Sequence, residues 1–284
     1  RKRLPRELKS EFGKYLVIFI MMAITIGFVS GFLVADGSML RAYDDSFQKY
    51  NIEDGYFQTK KKLTPAQKED IEKSDVKVYE NFYIEQKLTN GSTIRFFKNR
   101  KEVDKVCLMN GKMPKKSGEI AVDRMYADNN ELKVGDTVKS RKKTFRITGL
   151  VALSDYSALF QNNNDTMFDA VKFGVAVVTE EAFDNLKETD VKYRYSWIYD
   201  DPPKDEKAEK ERSDDFLEIL ADYTSVTGYI PRYANQAIHF TGDDMGSDRS
   251  MMLVLLYILL RYRRQFHRLS CIALAFVLSG AVGN

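Results

Sequence analysis

The sequence predicts an α+β protein: an N-terminal transmembrane helix, a mixed α+β extracytoplasmic domain with a small β module, and a C-terminal apolar membrane segment. Three observations predict it. Residues 15–35, YLVIFIMMAITIGFVSGFLVA, hold no charged side chain. Residues 36–248 alternate short β-patterned runs with helix-start signals. A second apolar stretch opens at Met251.

The first run sets the frame. About 21 helical residues span roughly 30 Å, the thickness of a bilayer's hydrocarbon core, and lipid obliges such a run to pair its backbone internally. A cleaved signal peptide is the rival reading. Its apolar region is shorter and ends in a small-x-small site, which Phe32-Leu33-Val34-Ala35 does not supply. Gly27, Ser30 and Gly31 form a GxxxG-type patch. It either admits a second helix closely or reflects ordinary glycine use in membrane helices.

Charge gives an orientation. Residues 1–14 carry a net +4 and the tail from Arg249 carries +5, leaving −6 for the stretch between from a formal total of +3. Basic residues beside a first span stay cytoplasmic, so residues 36–248 are expected outside. The acidic middle excludes a nucleic-acid protein, whose folded domain would show a basic face. Residues 1–14 place Leu4, Leu8, Phe12 and Tyr15 on one helical stripe with Arg and Lys elsewhere, a basic amphipathic helix for the membrane interface. The expected division is therefore 1–14 cytoplasmic helix, 15–35 transmembrane helix, 36–248 extracytoplasmic domain and 249–284 second membrane segment, incomplete or altered.

Within the outer domain the chain reads in order. Residues 40–50 continue the helix, and 51–58 form a strand. Thr64, Pro65 and Gln67 compose a capping box that starts a helix. Residues 76–88 and 93–97 are strands joined at Asn90-Gly91, a type I′ hairpin signal. Asn110-Gly111 and Ser117-Gly118 are turn chemistry. A strand at 119–122, a brief helix capped by Asp123, and strands at 137–140, 144–148 and 150–153 make the β module, with Arg141-Lys142-Lys143 as an exposed tip. Residues 155–169 are polar and read as a mobile loop. An apolar strand (173–178), a helix capped by Thr179 and an aromatic strand (193–199) follow. The charged run 204–212 leads into a helix docked by Phe216, Leu217 and Leu220, and a last strand covers 226–230. The end is irregular: Arg261, Arg263 and Arg264 interrupt the apolar run 251–260 before a second one at 269–282. Truncation or alteration after Leu260, or a short helical hairpin dipping into the bilayer, are the two readings.

Chemistry is sparse. His239 sits in Ile-His-Phe, a strand-packing context, and His267 lies in a different one. Asp243, Asp244 and Asp248 do not match an EF-hand spacing and read as a solvated juxtamembrane cap. No zinc spacing, nucleophile elbow or phosphate loop is present. Cys107 reads as a small buried hydrophobe that does not pair with Cys271. Neither an enzyme nor a cofactor is expected.

One resemblance gathers these features. The order Asn110-Gly111-Lys112-Met113-Pro114, Gly118-Glu119-Ile120-Ala121-Val122, Leu132-Lys133-Val134-Gly135-Asp136-Thr137-Val138 and Phe145-Arg146-Ile147-Thr148-Gly149 resembles the extracytoplasmic core domain of FtsX-like or MacB-like ABC transporter permeases. The stretch from Ile238 to Met251 resembles the approach to their second helix. The resemblance implies a non-enzymatic permease subunit, or a fragment of one. It would couple a cytoplasmic ABC ATPase to the outer domain, for export or mechanotransmission, beside a second permease or further transmembrane segments in the bilayer. It implies that Arg3, Arg6, Lys9 and Phe12 meet the membrane and the ATPase. The alternative is a membrane-anchored sensor or binding module with no transport activity.

Overall fold

The computed structural model describes residues 12–140, 143–186 and 191–280. The chain divides into two compact units: Asp44–Thr241, and the paired segments Arg1–Tyr43 with Gly242–Asn284. The second unit is built from two long helices. Helix α1, Phe12–Tyr50, runs 39 residues without a break, so the membrane run and the stretch 40–50 are one element. Hydroxyls inside it are satisfied one turn back: Thr25 donates to the Met21 carbonyl at 2.7 Å and Ser38 to that of Val34 at 3.0 Å. Among the described residues it is the one helix long and apolar enough to cross a membrane.

Helix α6, Gln236–Gly280, is also continuous. Arg261 to Arg264 lie within this helix. No Gly or Pro lies between residues 247 and 279, and Arg is a good helix former. His239 falls in this helix and not in a strand, because buried Asn235 opens α6 ahead of it. The Asn235 side chain accepts from Ala237 N–H (3.1 Å), and its carbonyl accepts from the N–H groups of Ile238 and His239. Gly242 lies against Tyr43; a Cβ there would sit 2.6 Å from the ring.

The unit Asp44–Thr241 is organised by a mixed sheet of eleven strands in the described residues. These are β1 (Gly55–Thr59), β2 (Val76–Glu80), β3 (Tyr83–Lys87), β4 (Thr93–Lys98), β5 (Val106–Gly111), β6 (Glu119–Asp123), β7 (Thr137–Lys139), β8 (Thr144–Leu153), β9 (Phe173–Val178), β10 (Val191–Tyr199) and β11 (Val226–Pro231). Their order is β11-β1-β10-β3-β4-β9-β6-β8-β5, with β2 also on β10 and β7 also on β8. The pairs β4–β9 and β6–β8 are parallel and the rest antiparallel. Short helices α2 (Pro65–Glu72), α3 (Arg124–Asn129) and α4 (Glu180–Asp184), and the longer α5 (Glu206–Tyr223), cover it.

Strand β10 joins two cores. Its first residues pair with β3 and its last five with β2, while β1 runs along its other edge. One core holds Phe57, Ile71, Trp197, Phe216 and Leu220; the larger one holds Ile94, Phe96, Val122, Tyr126 and Phe145. Trp197 stacks on Tyr229 with ring centroids 4.9 Å apart.

Caps form where the sequence places them. Thr64 and Gln67 close the box that starts α2, Asp123 accepts two N–H groups at the start of α3, and Thr179 accepts one at the start of α4. Several other expectations are corrected. The hairpin at Asn90-Gly91 is not type I′. Only Gly91 has positive φ (+87°), because Asn90 turns its side chain onto Ser92 and the Tyr126 hydroxyl. The β module is part of the sheet, with β6 paired to β9 on one side and β8 on the other, and β8 runs through Gly149 unbroken instead of ending there. Asn110 and Gly111 end β5 instead of forming a free turn. Cys107 is half-buried on the edge strand β5, and it is free. Leu217 is 36% exposed; Phe216 and Leu220 dock α5, with buried Ser213 bonded to the Tyr229 hydroxyl. The tip residues 141 and 142 lie outside the described residues.

Gly149 is demanded by proximity: a Cβ there would stand 2.6 Å from the Lys112 carbonyl oxygen. Gly149→Ala is expected to destabilise the fold by about 1–3 kcal/mol through overpacking. A thermal melt of the full chain in detergent checks this, and an unchanged Tm refutes it.

Candidate functional site

The structured chemistry lies where the two long helices enter the sheet domain, within Asp44–Thr241. Helix α1 ends in a Schellman turn. Asn51 takes φ +50°, its N–H reaches the Gln48 carbonyl (3.3 Å), and the Ile52 N–H reaches that of Phe47 (3.0 Å). The Asn51 side chain donates to the Glu102 carbonyl at 2.8 Å. Asp104 and Lys105 N–H groups return to the carbonyls of Asn51 and Tyr50, both at 2.9 Å. The last carbonyls of α1 are thus satisfied by the segment that leads into β5.

The residues just past α1 enter a buried ionic cluster. Glu53, Asp104 and Asp155 bring carboxylate oxygens within 4.8 Å of one another. Two guanidinium groups face them. Arg100 grips Asp155 bidentately at 2.9 and 2.7 Å, and Arg194 Nη2 donates to Glu53 (2.6 Å) and lies 3.1 Å from Asp155. Ser196 and Asn81 complete the cluster. Ser196 Oγ lies 2.5 Å from Glu53 Oε2 and 3.0 Å from Asp104 Oδ2; Asn81 Nδ2 lies 3.2 Å from Asp104 and 3.1 Å from Ser196. Glu53 N–H donates to Asp104 Oδ1 at 2.8 Å. All these side chains are buried. Asp155 and Glu53 are the counter-ions of Arg100 and Arg194, and the carboxyl oxygens of all three acids meet N–H or O–H donors. The set is a structural ion network and not a cage shaped for a cation.

The electrostatics divide the acids. Burial raises Asp155, yet the charges of Arg100 and Arg194 outweigh it and hold that carboxyl below its ordinary value. Burial pushes Asp104 well above its ordinary value, and the neighbouring charges of Glu53 and Asp155 push the same way. Burial raises Tyr56, whose ring lies 4.0 Å from the Arg194 guanidinium carbon, to about 12.

A second clamp ties the two helices' roots together. Arg232, just before α6, donates from Nε to the Glu53 carbonyl (2.8 Å) and from Nη2 to that of Ile52 (3.2 Å), and pairs with the Asp54 carboxylate. Its N–H meets the Asp54 carbonyl at 2.7 Å, and its guanidinium lies over the Phe47 ring. The Asp54 side chain also accepts from Tyr199 N–H on β10.

Residues 155–163 bind the root of α6. Ser157 Oγ lies 2.8 Å from the carbonyls of both Ala237 and Ile238, Thr241 Oγ donates to the Ser157 carbonyl, and Asn163 bonds Ala234 and Gln236. Phe160, Phe168 and Phe240 form an edge-to-face trio with centroids 5.3–5.6 Å apart. The expectation of a mobile loop at 155–169 is corrected in its first half. The segment has no regular structure, but Asp155, Tyr156, Ala158, Leu159 and Phe160 are buried. A small cleft of about 20 Å³ opens beside it, lined by Tyr56, Arg95, Asp155, Tyr156, Arg194 and Asn235. A larger groove of about 450 Å³ reaches Asn81 and Arg100 from the other side.

The residues singled out in the sequence lie elsewhere. Arg3, Arg6 and Lys9 are outside the described residues. Phe12, Gly27, Ser30 and Gly31 are exposed on α1, and a Cβ at either glycine would meet nothing within 4 Å. The network residues went unmarked. Their one local signal was charge in the wrong place: Arg194 interrupts an aromatic strand and Arg95 an apolar one.

Fold and site define a mixed α+β sheet domain in a chain that also holds a helix long and apolar enough to cross a membrane. The chain is similar in structure to the periplasmic region of MacB from Actinobacillus actinomycetemcomitans, with TM-score 0.34 and 13% identity over 60% of this chain and 85% of that one. It is also similar to the extracellular domain of the noncanonic ABC-type transporter YknZ from Gram-positive bacteria, with TM-score 0.31 and 11% identity over 61% and 98%. No protein-family model and no curated protein matches the sequence.

Asp155→Asn removes the counter-charge of two buried arginines and is expected to cost about 3–5 kcal/mol at pH 7. Asp155 has a depressed folded pKa. Its contribution is therefore present above the unfolded value of about 4 and lost as pH falls through the folded one. Denaturant titration at pH 7 and pH 3 should show a large gap between wild type and variant that narrows in acid. A gap independent of pH refutes the assignment.

Proposed function

We propose that this chain is a permease subunit, or a portion of one, of an FtsX-like or MacB-like ABC transporter. In this reading a cytoplasmic ATPase acts on residues 1–14, 15–35 cross the membrane, and 36–248 form the extracytoplasmic domain to which the motion is passed. The motif order in residues 110–149 supports the family. The observation that carries the mechanism is the double root. A chain that only tethers a domain needs a flexible linker. Here α1 ends in a capped turn directly on a buried ion network, and Arg232 fastens that end to the start of α6. Arg3, Arg6 and Lys9, with Phe12, are the proposed contact to the ATPase and lipid head groups. Gly27, Ser30 and Gly31 are the proposed seat for a helix from a second permease or further spans.

Two measurements test this reading. A cysteine at Met167, which is 80% exposed, should react with a membrane-impermeant thiol reagent on intact cells in a background lacking Cys107 and Cys271. Labelling only after lysis overturns the topology. Replacing Arg3, Arg6 and Lys9 by Glu should abolish co-purification of a partner ATPase while leaving the Met167 site labelled. Unchanged co-purification overturns the coupling role, and absence of any ATPase partner in the wild type favours the anchored sensor.

A further inference from the structure

The root cluster has a proton count that its heavy atoms fix. Ser196 carries one hydroxyl hydrogen, and the 2.5 Å contact to Glu53 Oε2 takes it. The 3.0 Å contact between Ser196 Oγ and Asp104 Oδ2 then needs a second hydrogen from one of the two acids, and Asp104 is the one without a directly paired cation: Arg194 donates to Glu53 at 2.6 Å. The charge count agrees. Glu53, Asp104 and Asp155 face Arg100 and Arg194, so three ionised carboxylates would leave one buried negative charge uncompensated.

Among the described residues, five segments present polar or charged groups to Asp104. Glu53 comes from the α1–β1 link, Asn81 from the β2–β3 link and Arg100 from the β4–β5 link. Asp155 follows β8, and Arg194 and Ser196 stand on β10. Arg100 is the nearest cation, at 3.9 Å, and it spends both Nη groups on Asp155.

We infer that Asp104 is a carboxylic acid at neutral pH, donating to Ser196, which donates to Glu53, and that this stored proton is a pH-sensitive lock on the root of α1. Burial and the two nearby acids raise Asp104, which supports the assignment. The same carboxyl accepts Glu53 N–H and so holds the first turn of chain beyond α1. Loss of the proton places a second anion against Glu53 with one hydroxyl between them, and the lock opens. The groove that reaches Asn81 and Arg100 gives solvent a route to the cluster. This inference stands on the root alone and not on the transport reading.

The sign follows from linkage. A carboxyl whose folded pKa is raised stabilises fully below the unfolded value of about 4, and its stabilisation declines as pH rises toward the folded value, by tenfold in the folding constant per pH unit. Asp104→Asn keeps an acceptor for Glu53 N–H and a donor for Ser196, but has no such dependence. Denaturant titrations of the full chain in detergent between pH 5 and 7 should therefore show the variant gaining steadily on wild type as pH rises, by up to about tenfold per pH unit. A difference that does not change with pH, or a variant that fails to fold, overturns the inference. Infrared spectra of the wild-type chain provide the second readout. At pH 7, where Asp123, pushed up to about 6, is mostly ionised, the wild-type chain should show a carboxylic-acid carbonyl band that Asp104→Asn lacks. Its absence overturns the inference as well.

Discussion

The balance of charge between Glu53, Asp104, Asp155, Arg100 and Arg194 is the constraint on which this molecule rests. Removing five ionisable groups from water costs several kcal/mol each unless the groups neutralise one another at close range. The cluster achieves this only when five separate segments arrive together: the link after α1, the link between β4 and β5, the turn after β8, the centre of β10 and, through Asn81, the link between β2 and β3. An apolar core tolerates small slips, since hydrophobic contact has no direction. A bidentate arginine does not. The network therefore specifies the register of the junction more than it adds to stability.

Strand β10 is the structural reason this specification reaches so far. It is the one strand paired with parts of both cores, so its centre, Arg194 to Ser196, lies where they meet. Side chains alternate along it. Tyr195 and Trp197 turn into the aromatic core with Phe57 and Phe216, while Arg194 and Ser196 face the ions. A single strand thus fixes packing on one face and charge pairing on the other.

What could be read from the sequence follows the range of the physics. Caps at Thr64, Asp123 and Thr179 were legible because donor and acceptor lie within three residues. The apolar strand at 173–178 and the run through α1 were legible by composition alone. The hairpin at Asn90 was half legible: glycine's positive φ was foreseen, but not the capture of the asparagine side chain by Tyr126, 36 positions away. The root was not legible. Glu53 and Arg194 stand 141 positions apart, and Asp155 begins a polar stretch that looks solvated until the fold buries it. His239 was misassigned because an apolar pair around a histidine fits strand and helix equally. Asn235 decides between them only once its burial is seen.

The unbroken α1 has a geometric consequence. A helix advances 1.5 Å and turns 100° with each residue. Between Ala35 and the Schellman turn at Asn51 nothing in the backbone absorbs that rotation. Adding or deleting one residue there would turn the residues before it through more than a quarter circle about the helix axis relative to the residues after it. The length of this segment is thus a phase setting: changes that preserve whole turns keep the same face forward, and all others present a different face to whatever lies beside it.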